Sequence, residues 1–179
     1  MVYVALLRGI NVGGNNIIDM KLLKETFIKK GMESVRTYIN SGNVIFSDAI
    51  HTQTEIATLL QEAIYEDFKL DVRVLIRSLD EFNQIMKVLP DSWVNDKNNK
   101  CDVLFLWDEV ETDMVIEKLT IKPSIDTVIY SPGTILWKVD KSNVTKSGLM
   151  KLASLPLYKK MTVRNVNTTR KIFEIMNTL

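Results

Sequence analysis

The order of strand and helix patterns over residues 1–77 constrains the fold of this chain more than any other feature. An apolar run, Val2 to Leu7, predicts a buried strand, and a helix from Met20 to about Lys30 follows it. Two strands around an Asn-Ser-Gly-Asn turn come next, and then a second helix and a half-buried strand from Leu70 to Ile76. This β-α-β-β-α-β order predicts a ferredoxin-like unit with one antiparallel sheet.

Capping residues indicate where the helices of this region begin. Asp19 is predicted to cap the first helix, because a side-chain oxygen just before a helix accepts a bond from its free N–H groups. Thr52 and Glu55 form a Thr-x-x-Glu capping box at the start of the second helix. Ser78 and Glu81 repeat the box and predict a third helix after the last strand of the unit.

The second half of the chain repeats the scheme with weaker signals. We expect a buried strand from Cys101, a short helix, and two strands around Ser131-Pro132-Gly133. A short helix near residues 147–154 and a last strand from Met161 to Arg164 should follow. Asn167 is predicted to cap a terminal helix.

Two hairpins favour a duplicated unit. Thr37–Phe46 is TYINSGNVIF and Val128–Trp137 is VIYSPGTILW, so each places a turn between β-branched strands that end in an aromatic residue. Any β-hairpin can show this pattern, and the duplication stays open on these grounds alone. The predicted fold class is α+β, with antiparallel sheets that carry helices on one face. We predict a ferredoxin-like subdomain over 1–77 and a second one, with a C-terminal helix, over 101–179. A connecting helix and linker over 78–100 would join them.

Composition argues against several classes of function. The chain has 23 basic and 22 acidic residues and a formal net charge of +1, without the basic excess of proteins that bind many phosphates of a nucleic acid. Its single cysteine, Cys101, allows no intrachain disulfide, which suits a reducing compartment. No apolar run is long enough to span a membrane. We therefore expect a cytoplasmic protein that does not enter a membrane.

Topology groups two polar motifs into one candidate site. In a ferredoxin-like unit the first and third strands are central antiparallel neighbours, so the loop Arg8–Gly14 and the turn Asn40–Asn43 should share one edge of the sheet. Glycines let the backbone approach a ligand, successive N–H groups bind anions, and arginine binds phosphate or carboxylate through two parallel bonds. The predicted ligand-binding residues at this edge are Arg8, Gly9, Asn11, Gly13, Gly14, Asn40, Ser41, Gly42 and Asn43.

Two further features extend this candidate site. The loop leads into the first helix, whose N-terminal dipole favours negative charge. Arg164 and Asn165 form a second polar cluster before the terminal helix, and we include both because the sequence gives them no local role. The alternative for all these residues is structural, since asparagine and glycine are ordinary turn residues and an arginine can pair with a carboxylate. Both interpretations stay open.

These motifs resemble a known family. Leu6–Gly14 (LLRGINVGG), followed by the TYxxSGNVxF pattern of Thr37–Phe46, resembles the bacterial family catalogued as domain of unknown function 1697. Thr162–Ile172 (TVRNVNTTRKI) is similar to the T-x-R-N-x-N-T segment of that family, although Val166 stands where the family usually has a tryptophan. The resemblance implies two ferredoxin-like subdomains, and it implies no activity, cofactor or catalytic residue.

Signatures of common catalytic and cofactor sites do not match. The glycines at positions 9, 13 and 14 fit neither the P-loop pattern G-x-x-x-x-G-K-[ST] nor the dinucleotide fingerprint G-x-G-x-x-G. The only histidine, His51, has no serine or cysteine partner that spacing suggests, and we interpret it as a loop residue. No cysteine and histidine set has the spacing of zinc ligands. The sequence predicts no catalytic residue, no metal and no cofactor.

Three functions remain open. We favour a protein that binds a small anionic ligand, a nucleotide or a phosphorylated metabolite, at the loop that begins with Arg8. The second is an RNA- or protein-interaction module, in which Tyr38 and Phe46 would stack on bases, although the RNP1 pattern of RNA-binding sheets is missing. The third is an enzyme whose carboxylate base is not recognisable from sequence. The sequence does not predict the oligomeric state.

Overall fold

The structure is a computed structural model that describes residues 1–110 and 112–179, and all their side chains except those of residues 112–114 and 149. Within these residues it has strands and α-helices in mixed order. The strands are β1 (Val2–Leu7), β2 (Glu33–Tyr38), β3 (Asn43–Ser47), β4 (Val74–Ser78), β5 (Asn99–Leu106), β6 (Asp126–Ser131), β7 (Thr134–Asp140) and β8 (Met161–Asn165). The α-helices are α1 (Met20–Lys29), α2 (Gln53–Phe68), α3 (Leu79–Val88), α4 (Thr112–Lys118) and α5 (Val166–Met176).

The chain divides into two compact units. Unit 1 comprises Met1–Phe82 together with Ile172–Leu179, and unit 2 comprises Asn83–Lys171. The C-terminal residues therefore belong to unit 1, although the sequence analysis grouped them with the second half. A hydrogen bond of 2.9 Å from Arg36 Nη1 to Thr178 Oγ1 joins this segment to β2.

The sheet of unit 1 has the strand order β2-β3-β1-β4, and all neighbours are antiparallel. This is the order that the βαββαβ pattern predicts, with the first and third strands at the centre. The register pairs Leu6 with Asn43 and Leu7 with Val74. The end of β1 and the starts of β3 and β4 therefore lie at the same edge of the sheet.

One face of this sheet is covered by α1 and α2. Phe27 of α1 meets Phe46 of β3 edge to face, with the ring centroids 5.6 Å apart. Burial of a side chain of this size stabilises the fold by roughly 1.5–3 kcal/mol. Val4 and Leu6 point to the opposite face of β1, and they are fully buried as well. Burial on both faces explains why the run from Val2 to Leu7 is apolar without alternation.

The two capping boxes predicted from sequence are confirmed. The hydroxyl of Thr52 accepts a bond from the Glu55 backbone N–H, and the Glu55 carboxylate accepts one from the Thr52 N–H. At the start of α3, the Ser78 N–H donates to Glu81 Oε2 at 2.7 Å, and the Glu81 N–H donates to Ser78 Oγ at 3.3 Å. A cap of this kind is worth about 1 kcal/mol.

The strand predicted to start at Leu70 starts instead at Val74. Helix α2 ends at Phe68, and Lys69 adopts a left-handed conformation with φ of 57°. Residues 70–73, between Lys69 and the start of β4, are in no regular element, although Val72 is buried in the core. The apolar alternation that begins at Leu70 therefore includes residues of the connection between α2 and β4 that pack on the core. Strand pairing begins four residues later, at Val74.

The sheet of unit 2 has the order β6-β7-β5-β8, again with antiparallel neighbours, so the α+β class is confirmed in both units. Three 3-10 helices, Lys141–Lys146, Gly148–Ser154 and Pro156–Lys160, connect β7 to β8. The segment predicted as a helix near residues 147–154 is thus helical but of the tighter 3-10 type. Proline at position 156 cannot donate a backbone bond, and it separates the second 3-10 helix from the third.

A buried carboxylate fixes the start of the second 3-10 helix. Asp126 is 4% exposed, and its Oδ1 accepts bonds from Ser147 Oγ and from Trp137 Nε1, the latter at 3.1 Å. Its Oδ2 accepts backbone N–H groups of Lys122 at 2.9 Å and of Gly148 at 3.1 Å. Burial by itself raises the pKa of Asp126, but these hydrogen bonds outweigh burial and lower the pKa. The ionised form therefore stabilises unit 2.

Candidate functional site

The glycine-rich loop after β1 folds into a small hairpin. Asn15 N donates to Val12 O at 3.0 Å, and Asn11 N donates to Asn16 O at 3.1 Å. Gly13–Gly14 occupies the two central positions with φ of 59° and 79°, the signs that a type I′ turn requires. Both glycines are exposed, and an added Cβ would contact nothing at either position. Their backbone conformation, and not crowding, therefore accounts for the glycine at each.

The structure brings this hairpin against the β2–β3 turn, as the topology argument predicts. Leu7 N donates to Gly42 O at 2.8 Å, and Asn11 Nδ2 donates to Asn40 O at 2.9 Å. Gly42 is buried where a Cβ would lie 2.8 Å from Leu7 Cβ and 2.9 Å from Ile10 Cδ1. Close packing of these two segments of the chain therefore requires glycine at position 42. We call this region, the end of β1 with the hairpin and the turn, the hairpin edge.

Asn11 holds the hairpin edge together. Its Oδ1 accepts the backbone N–H of Ile18 at 2.8 Å, while its Nδ2 donates to Ile18 O at 3.0 Å and to Asn40 O. Both amide hydrogens are therefore used within the protein. These contacts support a structural role for Asn11, and its amide group has no N–H left to donate to a ligand.

Asn43 and Gly9 are also used internally. The Asn43 side chain is fully buried, and its Nδ2 donates to Tyr38 O at 3.0 Å and to Ser41 Oγ at 3.2 Å. Gly9 O accepts a bond of 2.9 Å from the Asn16 side chain. Asn43 therefore stabilises the turn. The exposed or half-exposed members of the predicted set are Arg8, Gly9, Asn11, Gly13, Gly14, Asn40 and Ser41 at this edge, and Asn165 in unit 2.

A second arginine, which the sequence analysis did not include, joins Arg8 at this edge. The register of β1 and β4 ends with Leu7 opposite Val74. Just beyond the ends of both strands, the Arg8 N–H donates to Arg73 O at 3.1 Å. The backbones of the two arginines therefore meet at this edge. Arg8 is half-buried and Arg73 is exposed, and both make further interactions within the protein.

The N-terminus of α1 is already occupied by a carboxylate. Asp19 Oδ1 accepts the N–H of Lys21 at 2.7 Å and that of Leu22 at 3.2 Å, which confirms Asp19 as the cap. These groups are therefore not open to an anionic ligand, contrary to the expectation from the helix dipole. A shallow cleft of about 550 Å³ lies beside the cap, with walls that include Asn40, Gly14 and Lys21.

Asn165, in unit 2, has a structural role that its sequence did not suggest. Its Oδ1 accepts the N–H of Thr168 at 2.9 Å, so Asn165 caps α5. The prediction that Asn167 is the cap is wrong. The Asn167 side chain instead accepts the Asn95 N–H at 3.1 Å and donates to Asn95 O at 2.9 Å, which fixes the segment before β5.

Arg164 is a buried part of unit 2. Its residue is 8% exposed, and its Nη1 donates to Thr162 Oγ1 at 3.0 Å and to Val163 O at 2.9 Å. Burial lowers the pKa of Arg164 to about 10, so the guanidinium stays charged at neutral pH. Arg164 lies at the end of β8 and the hairpin edge belongs to unit 1, so the two predicted clusters are parts of different units.

His51 lies in the loop before α2, as the sequence predicts, and it is paired with a carboxylate. Its Nδ1 lies 2.9 Å from Asp48 Oδ2, and Asp48 Oδ1 accepts the N–H of Ile50 at 2.8 Å and of His51 at 2.7 Å. Burial by itself raises the pKa of Asp48, but the bonds from His51 and Ile50 lower it further than burial raises it. This arrangement is an Asx-type turn that leads the chain into α2.

Phe46, one of the two aromatic residues considered for base stacking, is buried, and so are the three tryptophans of the chain. Phe46 and Trp137 are fully buried, and Trp93 and Trp107 are 5% and 6% exposed. Tyr38 on β2 is half-exposed. A stacking platform needs several exposed rings on one face. The sheet of unit 1 therefore offers little for the RNA alternative.

Neither a metal-binding cluster nor a membrane-spanning helix occurs among the described residues. Among them, no group of three or more His, Cys, Asp and Glu residues is placed to hold a metal ion. Within the same residues, no helix combines the length and hydropathy that crossing a bilayer requires.

These observations define a two-unit α+β protein with one four-stranded antiparallel sheet in each unit. The family of proteins of unknown function DUF1697 matches residues 1–137, and the chain belongs to this family, which confirms the resemblance seen in the motifs. A solved structure of a conserved bacterial protein from Streptococcus pneumoniae is similar, with a TM-score of 0.85 and 28% identity over 98% of each chain. No curated protein matches the chain.

Proposed function

We propose that the protein binds a small anionic ligand, such as a nucleotide or a phosphorylated metabolite, at the hairpin edge of unit 1. The observation that carries this proposal is the backbone hydrogen bond of 3.1 Å from Arg8 N to Arg73 O, which brings two arginines together at this edge. Arginine side chains bind phosphate and carboxylate groups through charge-assisted hydrogen bonds, and two arginines at one edge can contact the same anion.

The local backbone supports the same site. The Gly13–Gly14 turn is exposed, and it presents a backbone that an anion can approach closely. Asn11 and Gly42 position the hairpin against the turn, and their role is to hold the edge in place. The ligand contacts that we propose are therefore Arg8, Arg73 and the exposed backbone of the hairpin.

Titration of the purified protein with inorganic pyrophosphate and with ADP tests the proposal. A charge-assisted bond from arginine contributes about 1.5–3 kcal/mol, so Arg8→Ala or Arg73→Ala should weaken binding about ten-fold or more. Lys24→Ala is the matched control, because Lys24 is an exposed cation on α1 outside the hairpin edge. Isothermal titration calorimetry gives the affinities. Equal affinity for wild type and both arginine variants would contradict the assignment, as would an equal loss in the lysine control.

A protein-interaction role is the second candidate, because apolar side chains surround the hairpin. Val12, Ile17 and Ile39 are 61%, 74% and 48% exposed. Contiguous exposed apolar groups favour a protein partner. In a pull-down from an extract of the source cells, Ile17→Ser should lose partners that the wild type retains, while its pyrophosphate titration stays unchanged. Retention of the same partners by Ile17→Ser would count against this candidate.

The enzyme alternative is not favoured by the carboxyl groups whose pKa is shifted. A general base at neutral pH needs a carboxyl group whose pKa is raised. In the part of the chain that the structure describes, the carboxyl groups with a clear shift, including Asp48 and Asp126, have a lowered pKa.

A cytoplasmic location is part of our proposal, because the buried thiol of Cys101 is free and suits a reducing compartment.

A further inference from the structure

Unit 2 contains a cavity between α4 and the third 3-10 helix. Its volume is about 760 Å³, within the range of roughly 300–1,000 Å³ typical of small-molecule sites. The apolar wall is formed by Val110, Val115, Leu155, Pro156 and Leu157. The cavity lies within unit 2 and shares no residue with the hairpin edge.

The core of unit 2 forms the floor of this cavity. Val115 is 1% exposed and belongs to the main buried cluster, and Val110, Leu155 and Leu157 pack against that cluster. A ligand that enters would therefore bury apolar surface on side chains that are already held in place. Each methylene group that such a ligand buries strengthens binding.

Two lysines give the cavity a positive rim. Lys118 is in the last turn of α4 and Lys160 ends the third 3-10 helix, and both line the cavity. Within the described side chains, neither ammonium group makes a hydrogen bond or an ion pair. Among the described residues of the lining, Glu109 is the acidic one, so the charges of this described part sum to net positive.

We propose that this cavity binds an amphiphilic monoanion, a molecule with an aliphatic body and one carboxylate. The aliphatic part would lie against Val115 and Leu157, and the carboxylate would lie between Lys118 and Lys160. Charge complementarity selects this class over a neutral or cationic amphiphile of the same length. The site is independent of the ligand proposed for the hairpin edge.

Calorimetric titration with decanoate, decan-1-ol and decylamine tests the proposal, because the three share a chain and differ in charge. We expect the wild type to bind decanoate most tightly and decylamine most weakly. Two partly exposed ion pairs are lost in a Lys118→Ala, Lys160→Ala double variant, which should weaken decanoate binding about five-fold and leave decan-1-ol unchanged. Lys151→Ala is the matched control, since Lys151 is exposed in the second 3-10 helix outside the cavity lining.

A blocking variant separates the cavity from the surface. Leu157→Trp should abolish binding of decanoate and decan-1-ol alike, and Leu155→Trp serves if the first variant does not fold by circular dichroism. Arg8→Ala should leave decanoate binding unchanged. The proposal is overturned if folded wild type shows no saturable decanoate binding, or if the double lysine variant and a folded tryptophan variant bind decanoate as the wild type does.

Discussion

Unit 1 and unit 2 have sheets of the same strand order, and they differ in the layer that covers the sheet. Unit 1 uses two α-helices of 10 and 16 residues, which pack on the sheet and on each other. In unit 2 the first crossover is an α-helix of 7 residues, and 3-10 helices of 6, 7 and 5 residues form the second. The order of strands is thus retained when an α-helix is replaced by shorter segments.

The difference shows which interactions stabilise a sheet that is covered by short helices. Unit 1 is held by interlocked aromatic and aliphatic side chains such as Phe27 and Phe46. In unit 2 the Asp126 carboxylate fixes Ser147 and Gly148 at the start of the second 3-10 helix. Beside α4 the thinner layer leaves the cavity described above. Apolar packing dominates the first unit, and a buried carboxylate contributes a directed polar anchor to the second.

The largest effect that this comparison predicts follows from removal of an aromatic ring in unit 1. Phe27→Ala should lower the free energy of unfolding by about 3–5 kcal/mol, because the ring is fully buried and leaves a cavity. Urea denaturation measures the loss, and hydrogen exchange should locate it in β1 to β4. A loss below 1 kcal/mol, or one equally spread over β5 to β8, would contradict the view that the ring is central to unit 1.

A smaller, pH-dependent effect is predicted for the anchor of unit 2. Asp126→Asn removes the charge and faces an amide NH₂ toward backbone donors, which should cost about 2–3 kcal/mol at neutral pH. Because the pKa of Asp126 is lowered in the folded protein, its contribution is complete above the usual aspartate pKa and is lost as pH falls through the lower folded value. The difference in stability between wild type and variant should therefore shrink as the solution is acidified below about pH 4. A difference that stays constant or grows on acidification would show that the carboxylate is not the anchor.

The smallest effect concerns the start of α5. Asn165→Ala should cost about 1 kcal/mol and increase exchange of the Thr168 amide, since the cap is removed. Asn167→Ala is the matched control, and it should leave this amide protected because Asn167 bonds to the segment around Asn95. Faster exchange at Thr168 in the control alone would restore Asn167 as the cap.

Features that depend on local sequence could be predicted. The capping boxes at Thr52 and Ser78 follow from residue spacing, and the strand pattern of unit 1 led to the adjacency of the hairpin and the turn. The sequence also indicated that the backbone at positions 13 and 42 requires glycine. Gly13 is required by the φ angle of the turn, and Gly42 by the short distance to neighbouring side chains.

Features that depend on register or distant contacts could not be predicted. Arg73 was missed because the sequence does not show how β1 and β4 are aligned, and this alignment brings Arg73 to Arg8. The 3-10 helices depend in part on Asp126, whose bond to Ser147 joins residues far apart in sequence. Asn165 and Asn167 are both plausible caps by composition, and three-dimensional contacts decide between them.

The most direct test of the account is a double-mutant cycle on the hairpin edge. Pyrophosphate affinity is measured for wild type, Arg8→Ala, Arg73→Ala and the double variant. If both guanidinium groups contact one anion, the losses should be non-additive, with a coupling of about 0.5 kcal/mol or more. Additive losses, or affinities that do not change in any variant, would contradict a shared site between the ends of β1 and β4.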